Sequence, residues 1–314
     1  MQVVEYDRYG GPEVLAVRDR PTPTAGKGEV LIRVHAAALN PKDVLIRAGK
    51  MRWLAGRRFP RRTGYDWAGE VAAVGAGVVD LAVGDRALGM IQAMAGGACG
   101  EYVVAARAEL TRCPAALPWH EAAALPLAGL TALQALRDLG QLAAGQRLLI
   151  NGASGGVGTL AVQIGKALGA HVTGVTSAGN RDHVAALGAD DVLDHARDDL
   201  ARPARPYDVV FDAFGNRSLA ALAPALTRRG TYVTTVPSAR AVVDHLRTRL
   251  GGRRSRLVVV QSRTADLDTL LALHARGALR AVIDRRYPLA AIADAHRHLG
   301  TRRARGKIVL DVAP

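Results

Sequence analysis

The stretch Arg147–Arg181, RLLINGASGGVGTLAVQIGKALGAHVTGVTSAGNR, decides the fold. Leu148, Leu149 and Ile150 form a short apolar run that leads into a glycine-rich turn. Val157, Leu160, Ala161, Ile164 and Leu168 then recur at helical spacing, and Val172 to Thr176 supply a second strand. The run is one βαβ unit. Gly152, Gly155 and Gly158 punctuate its turn in the manner of a dinucleotide fingerprint. That chemistry needs a tight turn, close backbone approach to a pyrophosphate and close packing of helix on strand, with the phosphates resting on the helix N-terminus. The amides of Gly152, Ser154, Gly155, Gly156, Val157 and Gly158 form the candidate cradle. The Ser154 hydroxyl reads equally as a donor to the ligand or as a plain turn residue.

Downstream of this unit the alternation continues. Helices are expected at 182–187 and 218–226, and strands at 191–193, 207–212, 231–236 and 257–261, while 239–254 reads as a loop. Strands alternating with helices imply a doubly wound parallel sheet with ligands at the carboxyl ends of the strands. Upstream, from Met1 to about Glu121, short strands are separated by glycine and proline turns, the pattern of a small barrel. Strand period fails between Asn40 and Tyr65, where polar residues cluster, making this the best candidate for a substrate-facing segment. The alanine- and leucine-rich run 119–139 reads as helix broken at Pro126 and Gly129, and crosses from one domain to the next. The helices and strands after Thr264 are too many to extend the sheet and are expected to close the first domain. The fold class is thus α/β, with a barrel domain at 1–121 and 265–314 and a dinucleotide-binding domain at 122–264.

A chain of 314 residues suits two domains. No apolar run is long enough for a membrane span and no signal-peptide order is seen at the N-terminus, so a cytoplasmic protein with no membrane partner is expected. Cys99 and Cys113 are the only cysteines, too few for a four-thiolate zinc site or a disulfide framework. The net charge of +14 comes almost entirely from arginine, since lysine occurs only at positions 27, 42, 50, 166 and 307. Its arginine clusters hold a single aromatic, Phe59 within 57–62, too few for stacking along single strands, so nucleic acid is not the expected partner.

Seven motifs in order resemble the zinc-independent medium-chain dehydrogenase/reductases, specifically the quinone oxidoreductase-like, or zeta-crystallin-like, branch. They are ALNPKD (38–43), GYDWAGEVAAVG (64–75), GDRALG (84–89), ALPLAGLTALQAL (124–136), NGASGGVG (151–158), ALGADDVLD (186–194) and RGKIVLDV (305–312). The resemblance implies a GroES-like catalytic domain built from both ends of the chain, a Rossmann domain inserted between them, a cofactor cleft at their junction and a homodimer. It further implies that Thr131 lies near the nicotinamide, that His195 lies by the adenosine phosphate, and that Phe214 and Val236 line the groove. Lys307 is implied either at the cofactor or in a structural role.

Ser177 lies 19 residues past Gly158, at the end of the second strand, where an acidic residue would hydrogen-bond the ribose of NAD. No carboxylate occurs from Thr173 to Arg181, and Ser177, Asn180 and Arg181 offer neutral or cationic donors, so NADPH is the expected cofactor. Asn40 and Tyr65 stand where zinc-dependent cousins carry metal ligands, so no metal is expected. Without a Lewis acid the acceptor must be activated, as a quinone or an α,β-unsaturated carbonyl is. Asn40 is expected to polarise it, Asp43 to position the local network, and Tyr65 to donate a hydrogen bond. A solvated role is expected for Lys42. The competing readings are an enoyl or alkene reductase acting on a biosynthetic intermediate, and a non-catalytic NADPH-binding or RNA-associated protein.

Overall fold

In the computed structural model, which describes residues 1–248 and 252–312, the chain divides into two compact units. The first comprises Met1–Leu127, Gln261–Leu271 and Ala281–Pro314, and the second Ala128–Val260 and Ala272–Arg280.

In chain order the first unit begins with β1 (Gln2–Tyr6), β2 (Ala16–Asp19), β3 (Glu29–Leu39), α1 (Pro41–Arg47), α2 (Arg52–Ala55), β4 (Arg61–Arg62), β5 (Asp66–Val74), β6 (Arg86–Met90), β7 (Tyr102–Ala106), β8 (Leu110–Arg112) and α3 (Trp119–Ala124). Then follow α4 (Pro126–Leu133), a π-helical turn at Gln134–Leu139, β9 (Arg147–Asn151), α5 (Gly156–Ala167), β10 (His171–Thr176), α6 (Arg181–Ala185), β11 (Asp191–Asp194), β12 (Tyr207–Asp212), α7 (Leu219–Leu222), β13 (Leu226–Thr234), α8 (Ala239–Arg247), β14 (Arg254–Leu257) and α9 (Thr264–Ala275). The closing elements are β15 (Ile283–Pro288), α10 (Ile292–Gly300) and β16 (Lys307–Asp311).

In the first unit a small antiparallel sheet, β2-β1-β4, accompanies a seven-stranded one ordered β15-β16-β3-β5-β6-β8, with β7 also on β3. The C-terminal strand β16 runs antiparallel to β3 with Ile308 opposite Leu39, and Ala38 of β3 lies opposite Asp66 of β5. Two registers therefore bring Asn40, Asp66 and Lys307 to the same end of three neighbouring strands.

The second unit is a six-stranded parallel sheet in the order β11-β10-β9-β12-β13-β14. Strand β9, the first of this sheet along the sequence, is central and the order reverses beside it, which places the topological switch point at its carboxyl end. Leu148, Leu149 and Ile150 are all buried, as a strand covered on both faces requires.

Three elements differ from the sequence expectation. Gly129 does not interrupt α4, because it is buried inside a helix that starts at Pro126 and is continued by the π turn, where Gly140 N–H donates to Ala135 O at 2.8 Å. Residues 239–247 are a helix: the Ser238 Oγ accepts from Ala241 N at 3.1 Å and caps it. The last parallel strand lies at Arg254–Leu257, paired with Thr231–Thr234; the valine run that follows suggested a strand, yet Val259 is exposed.

Buried His296 on α10 carries a pH prediction. Its two ring nitrogens have no hydrogen-bond partner, and burial, helped by the nearby Arg47 cation, holds its pKa down to about 3. The unfolded chain takes up this proton below about pH 6.5 while the folded one refuses it, so stability is lost as pH falls from 6.5 towards 3. Between pH 6.5 and 4.5 the loss should approach 2–3 kcal/mol, at about 1.4 kcal/mol per unit. Urea melts at both pH values should show a clearly smaller loss in His296→Leu than in the natural chain; equal losses would place the acid sensitivity elsewhere.

Candidate active site

The glycine turn is built for close approach. Gly152 has φ of 86°, which side chains rarely adopt, and a Cβ on Gly158 would sit 2.1 Å from the Gly152 carbonyl oxygen. Gly155 caps α5 with extended backbone, and a Cβ there would meet only the Gly152 oxygen, at 3.6 Å. The Gly156, Val157 and Gly158 amides thus open the helix with no intrahelical acceptor, the arrangement that binds phosphate. The turn also fits the dinucleotide at its other contacts. Ser154 Oγ accepts from Thr176 Oγ1 at 2.8 Å and from Asn180 Nδ2 at 3.3 Å, and Asn180 Nδ2 also reaches Ser177 Oγ at 3.2 Å. Asn180 Oδ1 is buried with no partner. Ser177, Arg181 and His195 are exposed around this network.

At the ends of the central strands, Phe214 packs over the turn so closely that a Cβ on Gly152 would lie 2.9 Å from Phe214 Cβ. Val236 sits against Gly215 in the same way. Both side chains are over a third exposed, at 37% and 38%, and present apolar surface at the switch point. Thr131 is buried within α4.

Sequence reasoning missed the residue that holds this end of the sheet. Asp212 is fully buried, and its Oδ1 accepts from Asn151 Nδ2 at 2.7 Å and Gly215 N at 2.8 Å. Its Oδ2 accepts from Arg217 N at 3.0 Å and Tyr232 Oη at 2.9 Å. Burial, then the Asp212 charge, pushes the Tyr232 hydroxyl well above its ordinary pKa and keeps it a donor. An aspartate ending a strand two residues before Phe214 was the available signal. A cavity of about 80 Å³ lies beside Tyr232, Thr234 and Val236.

In the first unit, Asn40 caps α1 and Asp43 sits three residues on. Asp43 Oδ2 accepts from Asn40 N at 2.8 Å, while Oδ1 accepts from Thr63 Oγ1 at 2.9 Å and Gly64 N at 2.8 Å. Burial raises the Asp43 pKa against these hydrogen bonds. The Asn40 amide is engaged at both ends: Lys307 Nζ donates to Oδ1 at 2.6 Å, and Nδ2 donates to Asp66 Oδ2 at 3.0 Å. Lys307 Nζ also meets Asp66 Oδ2 at 2.9 Å, and Asp66 Oδ1 accepts Leu127 N, at the start of α4, at 2.7 Å. The Tyr65 hydroxyl is buried and donates to Met94 O at 3.1 Å. Asn40 is 2% exposed and Tyr65 1%, and the donors of both side chains are engaged within this unit. Lys42 departs from its solvated expectation. It is half-buried with Nζ 3.8 Å from the centre of the Tyr65 ring, and burial lowers its pKa against the raising effect of Asp43 and Asp66.

A nucleotide turn at a parallel-sheet switch point and a GroES-like unit closed by the C-terminal strand define a nicotinamide-dependent oxidoreductase. Residues 26–115 match the alcohol dehydrogenase GroES-like domain, and 187–310 the family described as zinc-binding dehydrogenase. The chloroplast envelope quinone oxidoreductase homolog of Arabidopsis thaliana is 33% identical over 99% of this chain and 98% of its own. The solved quinone oxidoreductase of Coxiella burnetii superposes with a TM-score of 0.93 at 33% identity, covering 100% of this chain and 99% of that one. A mycobacterial structure complexed with NADPH gives 0.83 at 28% identity, with 99% of each chain covered. The chain belongs to the medium-chain dehydrogenase/reductase superfamily, in its quinone oxidoreductase-like branch. The zinc of the second family's description does not fit the donors here: among the described residues no three His, Cys, Asp or Glu side chains converge on a metal-sized site.

Proposed function

We propose that the chain is an NADPH-preferring, metal-free reductase that passes hydride to a quinone or an α,β-unsaturated carbonyl, acting on small molecules as a homodimer. The observation that carries the cofactor preference is the end of β10, where Ser154, Ser177 and Asn180 are joined by hydrogen bonds beside an exposed Arg181, in a run from Thr173 to Arg181 that holds no carboxylate. A 2′-phosphate meets hydroxyl, amide and guanidinium donors there. Bound NADPH supplies the hydride. The Gly156–Gly158 amides hold its pyrophosphate, Phe214 and Val236 exclude water at the strand ends, and Asp212 fixes the loop that carries Phe214. Asn40, Asp43 and Tyr65 are positioning residues in this reading, locking α1 to β5 and the Thr63–Gly64 turn. Half-buried Lys42 lies beside them, over the Tyr65 ring. The relatives named quinone oxidoreductase support a conjugated acceptor, which takes hydride with hydrogen bonds alone.

The test is kcat/KM with NADPH and with NADH across quinones, enones and enoyl thioesters. NADPH should be preferred, and Arg181→Glu should lower kcat/KM for NADPH about tenfold or more, by charge repulsion of the phosphate, with little change for NADH. Equal or better use of NADH by the natural chain would overturn the cofactor reading. Turnover confined to enoyl thioesters would replace the acceptor class. NADPH binding with no turnover on any acceptor, alongside salt-sensitive RNA binding, would replace the enzyme reading altogether.

A further inference from the structure

The segment around α2 departs from the rest of the first unit's surface. Trp53 is 73% exposed and Leu54 49%, side by side on a one-turn helix. Around them Lys50, Arg52, Arg57 and Arg58 are exposed, and among the described residues none of the four has an ion-pair partner. From Val44 to Tyr65 the chain carries seven basic residues and no carboxylate. Acidic side chains elsewhere in the first unit are otherwise engaged: Asp43 is buried, Glu5 is closed between Arg20 and Arg62, and Glu13 accepts from Gly11 N.

The fold holds this segment from beneath. Arg61 Nη1 donates to Ala55 O at 2.5 Å and Nη2 to Met94 O at 3.2 Å, the Tyr9 hydroxyl donates to Gly56 O, and the Tyr9 ring packs edge-on against Phe59 at 5.1 Å. Its backbone is thus fixed while an indole and a leucine face water. Trp with Leu inside a ring of unpaired cations matches a bilayer interface, where indole settles at headgroup depth and anionic lipids attract Lys and Arg. One exposed aromatic offers little for stacking successive bases, which disfavours single-stranded nucleic acid.

We propose that the α2 tip is a peripheral docking site for anionic lipid surfaces, with Trp53 and Leu54 entering the interface and Lys50, Arg52, Arg57 and Arg58 meeting the headgroups. Among the described residues no helix is long and apolar enough to cross a membrane, and the proposed contact is peripheral. The expectation of no membrane partner considered only spanning segments. The inference stands apart from the identity of the acceptor.

Co-sedimentation of the whole protein with phosphatidylcholine vesicles, with and without phosphatidylglycerol, tests it. Binding is expected only with the anionic lipid and should weaken in high salt. Arg57→Glu with Arg58→Glu should weaken it about 25-fold or more, at about fivefold per cation. Trp53→Ala should weaken it about tenfold. Trp emission should shift to the blue on binding, and the shift should vanish in Trp53→Ala, because Trp67 is buried and Trp119 is stacked on His35. Failure of the natural chain to bind anionic vesicles would overturn the proposal. So would binding that survives both variants, or tighter binding to a single-stranded oligonucleotide than to the vesicles.

Discussion

Lys307→Met is expected to destabilise the first unit by about 3–5 kcal/mol, because it removes the cation facing a carboxylate that water cannot reach. Asp66 is fully buried and Lys307 is 4% exposed, so neither charge can be solvated if the other is lost. Once Lys307 is gone, Asp66 keeps only the Asn40 amide and the Leu127 N–H as donors, and Asn40 Oδ1 loses its partner. The melting midpoint should fall by on the order of 10 °C. Asp66→Asn combined with Lys307→Met removes both charges and should recover more than half of the loss, since a neutral polar pair is far cheaper to bury. A single-variant loss below about 1 kcal/mol would mean that the pair is solvated or replaceable, and the positioning role given to Asn40 would go with it.

This triad also shows what the sequence can and cannot convey. The βαβ unit at Arg147–Arg181 was legible because its chemistry is local: strand, turn and helix signals lie within one short run. Asn40, Asp66 and Lys307 come from three distant parts of the chain. Each motif could be noticed, but only the registers of β3 against β5 and β16 join them. Asn40 and Tyr65 read as free donors because a motif gives residue type without hydrogen-bond occupancy. Asp212 was invisible for the same reason, an ordinary acidic residue at a strand end until four donors are seen converging on it. Residues 239–254 read as a loop, yet 239–247 form a helix capped by the Ser238 hydroxyl, a side-chain hydrogen bond that residue type alone does not announce.

The glycine turn allows a second large effect to be separated into folding and binding. Gly158→Ala should do harm on both counts, because its methyl would meet backbone: the Gly152 oxygen at 2.1 Å, and the Gly152 carbonyl carbon and Ala153 Cα at 2.8 Å. Backbone cannot rotate aside as a side chain would, so the turn must open at a cost of about 1–3 kcal/mol. The amides that face the pyrophosphate should then be displaced, and the NADPH Kd should rise about 100-fold, equivalent to ~2.7 kcal/mol. Gly155→Ala is the informative contrast. Its φ of −83° and ψ of 175° suit alanine, and the added methyl meets no described protein atom closer than 3.6 Å. The melting midpoint should therefore hold within about 2 °C. Yet that methyl occupies the space in which a bound pyrophosphate must approach the chain, so the NADPH Kd should still rise about tenfold or more, by titration of intrinsic fluorescence or calorimetry. A merely structural glycine turn would leave Gly155→Ala silent in both measurements, and that result would remove the dinucleotide from this site.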